Sequence, residues 1–205
     1  MSEKVTIYGP GYSNFVRCVV LCCQEKGVEY TLSMASVELK QLNPFEKVPV
    51  FEHDGVVIYE TEAICRYLDR VFAGTSLSPS KPKELAWMDQ WMSAAVCYFD
   101  SAIIRRYVLE YAFPKGKEGE IRKDVIAQAE KDINAYLMIM TEALKRYDYF
   151  SGSAAGIADY LIMPMLDYLN NGVVPTRLLN NYPTVKEYFD RMHQRPSCQQ
   201  VLGKP

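Results

Sequence analysis

The sequence predicts a small α/β domain followed by an all-helical domain. Three observations carry that expectation. Short apolar runs alternate with helical patterns through the first third of the chain. Asp54-Gly55, between two apolar runs, is a two-residue hairpin signal. Beyond a polar, Pro-containing stretch, apolar residues recur only at helical spacing. Strands first and helices afterwards indicate segregated layers. The expected division is 1–75 for the first domain, 76–82 for the linker and 83–205 for the helical domain.

Residues 4–8 read as a buried strand, and Gly9-Pro10-Gly11 as a turn. Residues 13–26 read as a helix with Val16, Val19, Val20 and Cys23 on one face; Ser13 is its N-cap and Gly27 its stop. Val28 to Ser33 reads as a second strand, and 37–42 as one short helical turn. Strands at 48–53 and 56–59 flank the hairpin signal. A helix from Thr61 to about Phe72 buries Ile64, Leu68 and Val71. A helical crossover between the first two strands favours parallel pairing, and the hairpin adds an antiparallel edge. After the linker, Trp87, Trp91, Ala95, Phe99, Ile103 and Tyr107 recur at i+4 in one long helix, which Pro114 and the Lys115–Gly119 turn end. Ile121, Val125, Ala129, Ile133, Leu137, Met140 and Leu144 mark a second. A third begins near Ile157, and a fourth covers Pro183–Arg195.

The 205 residues are 49% hydrophobic and 23% charged, an ordinary globular balance. A net charge of −2 gives no basic footprint, so nucleic acid is not an expected partner. The six cysteines include no CxxC pair, and with only two histidines no metal site is expected. Several cysteines fall on apolar helical stripes, as reduced thiols do. The chain opens on a strand pattern, without a signal-peptide pattern or an apolar run of membrane length. A cytoplasmic protein without membrane contact is the expectation.

One combination points to chemistry. Lys47-Val48-Pro49 is followed by Glu60-Thr61 at the head of an amphipathic helix. A Pro before a strand removes a ladder donor. With a cis Val48-Pro49 bond, Val48 can turn its N–H and C=O toward a ligand. Glu60 offers an amine acceptor, and the Thr61 helix start a carboxylate site. Together they read as a receptor for a small zwitterionic peptide.

Four stretches carry a family resemblance over nearly the whole chain. Tyr8-Gly9-Pro10-Gly11-Tyr12-Ser13-Asn14-Phe15-Val16-Arg17 resembles the serine-type catalytic turn of soluble glutathione transferases. Asn43-Pro44-Phe45-Glu46-Lys47-Val48-Pro49 resembles their cis-proline segment. Tyr59-Glu60-Thr61-Glu62-Ala63-Ile64 is similar to their γ-glutamyl site. Ser151-Gly152 through Gly156-Ile157-Ala158-Asp159-Tyr160 is similar to their second-domain folding motif. The resemblance implies a thioredoxin-like first domain of order βαβαββα, glutathione as cosubstrate, no metal, and a homodimer in the cytoplasm. It also implies conjugation of glutathione to small electrophiles, in a detoxification role, with glutathione peroxidase activity as a further possibility for the same site.

By that resemblance Ser13 is the catalytic residue. Glutathione's thiol has a free pKa of about 8.5. Favouring the thiolate ten- to hundredfold takes about 1.4–2.7 kcal/mol, within reach of a hydroxyl donor at a helix N-terminus. The plainer reading of Ser13 is a helix cap, and both roles are compatible. Tyr8 and Tyr12 are competitors, because other branches use a tyrosine near this turn. Glu60 and Thr61 would hold the γ-glutamyl end, Val48 beside Pro49 the cysteinyl backbone, and Lys47 the glycyl carboxylate. Their plain readings are a capped helix start and an exposed loop lysine. Tyr12, Tyr98, Phe99, Arg105 and Arg106 are candidates for an acceptor-substrate pocket between the domains, with core or solvated face as the ordinary alternative. His53 and His193 read as surface or packing residues.

Two departures stand out. Ser33 to Leu42 is short and carries only Lys40 as a basic residue. Gly156 stands where the folding motif has Ser or Thr, with an expected cost of a few tenths to about 1 kcal/mol; Asp159 is assigned to structure. The rival readings are a non-catalytic binding module on the same fold, as in stringent starvation proteins and translation-factor domains, and a glutathione-dependent isomerase of the zeta kind. The zeta kind carries Ser-Ser-Cys at the turn, where this chain has Ser13-Asn14-Phe15.

Overall fold

The computed structural model describes residues 4–34, 39–170, 174–175 and 177–202. Four strands form one sheet: β1 (Val5–Tyr8), β2 (Tyr30–Ser33), β3 (Val50–His53) and β4 (Val56–Tyr59), in the order β2-β1-β3-β4. β1 pairs parallel with β2 and antiparallel with β3, and β3 pairs antiparallel with β4. Asp54 and Gly55 both take positive φ, 47° and 79°, as the predicted tight hairpin requires. The second and third strands each begin two residues later than the sequence suggested, at Tyr30 and Val50. Of the expected turn at 37–42, α2 (Leu39–Leu42) is present, and 37–38 lie outside the described residues.

Helix α1 (Asn14–Lys26) is the crossover between β1 and β2, and Gly27 ends it in the left-handed region. The sequence suggested one apolar face. The structure buries α1 on nearly all sides, including Arg17, Cys18, Leu21 and Cys22. One side packs on α3 (Thr61–Val71), the other on the helices that follow. Helix α3 buries Thr61, Ile64, Cys65 and Leu68. Val71, expected in the core, is its last residue and extends past that face to solvent.

Helix α4 (Pro82–Ala94) runs directly into a π-helix, Ala95–Val108, and then α5 (Leu109–Ala112). This differs from the single α-helix suggested by the i+4 stripe. An α-helix has 3.6 residues per turn and a π-helix more, so a strict four-residue repeat stays on one face only if both are present. Trp91, Ala95, Phe99, Ile103 and Tyr107 are all buried on that face. Helix α6 (Lys123–Leu144) packs along the π segment. Its buried positions include Ile126 rather than Val125, and Ile121 precedes the helix and is exposed. Helix α7 (Ile157–Asn170) is buried nearly all round and forms the centre of the helical layer. Helix α8 (Pro183–His193) ends two residues short of the predicted Arg195. Pro196 starts a further helix, α9 (Pro196–Val201), which the sequence reading missed.

The start of α7 shows how the missing Ser or Thr at 156 is replaced. The Asp159 carboxylate accepts from the backbone N–H groups of Phe150, Ser151 and Gly156 at 2.9–3.1 Å, and from the Tyr188 hydroxyl at 2.8 Å. The Ser151 hydroxyl accepts from the Ala158 N–H at 3.2 Å, supplying the cap acceptor from another position. A Cβ at Gly156 would collide with the Leu77 carbonyl and the Ser151 side chain. Glycine therefore allows the linker to lie against the helix start, and Ser151 offsets the expected capping loss.

Two ion pairs fasten α1 to the helical layer. Arg17 meets Asp167 of α7 at 2.6 Å, with side chains only 5% and 4% exposed. Glu25 accepts from Arg195 at 2.5 Å and from the Ser197 hydroxyl. Removing one member of a buried pair strands the other charge. Asp167→Ala is expected to destabilise the fold by about 3–5 kcal/mol. Joint replacement of Arg17 and Asp167 by Met and Leu should recover most of that loss; urea unfolding measures both. A second expectation concerns acid. Glu110, 1% exposed, is held at about 2 by Arg122 and by backbone N–H donors. Its folded value lies below its unfolded one, so its contribution is present above the ordinary carboxylate range and lost as pH falls towards about 2. Glu110→Gln should flatten that limb of the stability–pH curve.

Candidate functional site

The sheet register gathers the candidate residues at one end. Tyr8 pairs with Val50, and Val50 pairs with Tyr59. Because β1 and β4 both run antiparallel to β3, the chain leaving β1, the chain entering β3 and the chain leaving β4 emerge side by side. Those three segments are Gly9–Ser13, Lys47–Pro49 and Glu60–Thr61. Their approach is close. A Cβ on Gly9, whose φ is 142°, would lie 2.6 Å from Val16 and 2.9 Å from the Val48 side chain. Only glycine lets the β1–α1 turn sit against Val48.

Ser13 is the N-cap of α1, with extended φ and ψ of −67° and 131°. Its N–H donates to the Pro10 carbonyl at 2.9 Å, and its carbonyl accepts from Arg17 at 3.0 Å. Its side chain makes no capping hydrogen bond. Among the described residues, the positive end of the helix therefore receives no capping hydrogen bond from Ser13. The half-buried hydroxyl is left for another partner. Tyr12 is 65% exposed, and its carbonyl accepts from the Tyr168 hydroxyl of α7. Tyr8 points elsewhere: its hydroxyl donates to Glu52 at 2.6 Å.

The Val48-Pro49 bond is cis, the geometry the sequence reading required. The loop before it is fixed by Asn43, which that reading passed over. Asn43 is 1% exposed. Its side-chain amide donates to the Lys47 carbonyl at 2.8 Å, and its side-chain oxygen accepts from the Phe45 N–H at 2.9 Å. The available signal was the Asn-Pro dipeptide, a turn initiator. Lys47 is exposed, while Lys40 pairs with Glu46 at 3.3 Å.

Glu60 sits at the N-cap of α3 with φ 70° and ψ 116°. A non-glycine residue there is strained by about 1–3 kcal/mol, and such residues cluster at functional sites. The backbone turns so sharply that exposed Glu60 and buried Thr61 fall at one helix start, beside the Val48 loop. The arrangement offers a carboxylate, a hydroxyl, helix N–H groups and a free backbone edge. That set suits a small ligand carrying both an ammonium and a carboxylate.

The remaining candidates separate. Phe99 is 3% exposed between Trp91 and Tyr136, and Tyr98 stands against Tyr136 of α6. Arg106 pairs with Asp132 of α6 at 2.7 Å. Arg105 pairs with Asp100 at 2.8 Å, and its side chain is half exposed. Asp100 was not singled out in the sequence, because residues five apart share a side only in a π-helix. His53 is buried against Phe51, Tyr67 and Phe72. Among the described residues, no group of three or more His, Cys, Asp or Glu side chains could hold a metal ion, and no helix is long and apolar enough to cross a membrane.

Both parts of the chain match known proteins. The family model "Glutathione S-transferase, N-terminal domain" matches residues 7–76, and "Glutathione S-transferase, C-terminal domain" matches residues 88–196. A probable glutathione S-transferase of Oryza sativa subsp. japonica is 26% identical, with 97% of this chain and 95% of that protein covered. Glutathione transferase F1 of poplar superposes with a TM-score of 0.85 at 23% identity, over 97% of this chain and 96% of that one. A theta class enzyme of Xanthomonas axonopodis pv. citri, solved with glutathione bound, gives 0.80 at 25% identity, over 98% of each chain.

Asn43→Ala tests whether the loop geometry matters. The loss of both Asn43 hydrogen bonds is expected to lower stability by about 1–3 kcal/mol. It should also raise KM for glutathione more than it lowers kcat, because the loop would bind rather than react. Urea unfolding and steady-state kinetics read the two effects.

Proposed function

The chain belongs to the glutathione S-transferase family, and from that premise we propose that it joins the glutathione thiolate to small electrophilic, mostly apolar substrates. The observation that carries the reading is the uncommitted Ser13 hydroxyl at the head of α1, beside the cis Val48-Pro49 bond and Glu60.

In this reading glutathione lies across the three converging segments. Glu60 meets its α-ammonium, and Thr61 and the N–H groups of α3 meet its α-carboxylate. The Val48 backbone pairs with the cysteinyl residue as an added strand would. Lys47 faces the glycyl carboxylate as a point charge. The thiol then sits at the start of α1. Its proton departs to solvent, and the Ser13 hydroxyl donates to the sulfur, with the helix terminus adding to the stabilisation. The thiolate attacks the electrophilic carbon, a carbon–sulfur bond forms, and the displaced group leaves with its electron pair. The acceptor enters between the first domain and the π segment, with Tyr12 exposed at the entrance and Arg105 on the wall. Glutathione is a cosubstrate, consumed in the reaction. The protein works as a cytoplasmic homodimer, by the family resemblance.

Ser13→Ala is expected to raise the pKa of the bound thiol and to slow conjugation at neutral pH by about tenfold or more, with glutathione still bound. Ultraviolet titration of the thiolate and assays with an aryl electrophile and an organic hydroperoxide read this out. An unchanged thiol pKa and rate would transfer the role to Tyr12 or to a backbone amide.

A further inference from the structure

The peptide unit that leads into Ser13 is held at both ends. Its N–H, on Ser13, donates to the Pro10 carbonyl at 2.9 Å. Its C=O, on Tyr12, accepts from the Tyr168 hydroxyl of α7. A peptide unit is planar, so the two bonds together fix its plane. The peptide unit that leaves Ser13 is held as well, because its C=O accepts from the Arg17 N–H at 3.0 Å. With the planes on both sides of its Cα fixed, Ser13 retains only the rotation of its side chain. Two of these three bonds are local to the turn and the first turn of α1. The third crosses 156 residues to the helical domain.

Tyr168 is placed to make that bond by the ion pair beside it. Asp167, the preceding residue of α7, meets Arg17 at 2.6 Å. The Arg17 guanidinium lies over the Tyr168 ring, 5.1 Å from its centroid, and donates to the Val201 carbonyl of α9 at 3.3 Å. A guanidinium stacks its flat face on an aromatic ring and turns its edge donors to a carboxylate, so one Arg17 serves both neighbours. Helix α7 therefore grips the head of α1 twice. Asp167 acts through the Arg17 charge, and Tyr168 through the Tyr12 carbonyl. Burial raises the Tyr168 phenol above its ordinary range against the pull of Arg17, so it stays protonated and a donor at neutral pH.

We propose that Tyr168 is a positioning residue for the thiol chemistry: by holding the Tyr12 carbonyl, its hydroxyl sets the Ser13 hydroxyl where the bound sulfur meets it. The plainer role for such a bond is to fasten the two domains. The side-chain pairs Arg17–Asp167 and Glu25–Arg195 already do that, from positions beyond the Gly9–Ser13 turn. A hydrogen bond to sulfur weakens with misplacement in distance and angle, so the turn that carries the donor has to be fixed more tightly than the fold alone requires. Without the Tyr168 hydroxyl, one end of the Tyr12–Ser13 peptide plane is released. The groups assigned to glutathione at Glu60, Thr61 and Val48 are not touched by that change. The inference rests on the Ser13 reading above, and it makes the helical domain a participant in thiolate formation in the first domain.

Tyr168→Phe removes the hydroxyl and keeps the ring over Arg17. Ultraviolet titration of the bound thiol, steady-state kinetics with an aryl electrophile and urea unfolding are measured on this variant, on Ser13→Ala and on the double variant. In Tyr168→Phe the bound thiol is expected to titrate at higher pH and kcat at neutral pH to fall about tenfold, with KM for glutathione within about twofold. The double variant should match Ser13→Ala, because the hydroxyl that Tyr168 positions is already gone. A role confined to fastening the domains would lower the urea midpoint and leave the thiol titration of the folded protein where it was, and that result overturns the proposal. Losses that simply add in the double variant overturn it too. If Tyr168→Phe alone titrates like the parent, the positioning role fails and the Ser13 reading stands. If Ser13→Ala itself titrates like the parent, the Ser13 reading fails and the positioning role with it.

Discussion

The buried Arg17–Asp167 ion pair is the constraint on which the rest of the structure depends. Each charge is almost fully withdrawn from water, so the pair adds little net stability, yet breaking it would strand a charge. Such a pair tolerates one arrangement of its two helices, which makes it a register pin between α1 and α7. Arg17 lies one turn after Ser13 and donates its N–H to the Ser13 carbonyl. Fixing the guanidinium therefore fixes the helix start. The far end of α1 is held by the same kind of chemistry. Burial pushes the Glu25 carboxyl up, but Arg195 and Ser197 hold it below the ordinary range. Lys26, nearly buried, donates to Asp69 and to the Thr75 carbonyl.

With α1 pinned, the sheet register does the remaining placement. The row Tyr8–Val50–Tyr59 brings three distant segments to one edge. A slip of one residue in either pairing would turn every side chain of a strand to the wrong face and separate those segments. The strained backbone at Glu60 survives because β4 and α3 hold it from both sides. In the proposed function, recognition of a small peptide would rest on groups already in place, leaving little ordering to the moment of binding.

Most of the scaffold was legible in the sequence because it obeys single periodicities. Alternation and the Asp54-Gly55 signal marked the sheet, and helical repeats with capping residues marked the long helices. Ser13, Val48, Pro49, Glu60 and Thr61 were legible as a pattern whose parts the register brings together. The illegible parts depend on contacts between elements. A π-helix and an α-helix share apolar repeats closely enough that only the strict four-residue spacing hinted at the change, and the Asp100–Arg105 pair follows from it. Asn43 and Ser151 act through hydrogen-bonding geometry that a linear reading cannot supply. Asn43 fixes the Val48 loop, Ser151 replaces a missing cap, and Asn14 places a polar side chain where a helix would ordinarily bury an apolar one. The short α9 falls below the length at which periodicity is informative.

The measurement that bears most directly on this account is calorimetric titration of the purified protein with glutathione, run in parallel on Glu60→Ala. The account predicts one saturable site per chain in the parent protein and clearly weaker binding in the variant. No saturable heat up to millimolar glutathione would contradict it, and would turn attention to protein partners on the same fold.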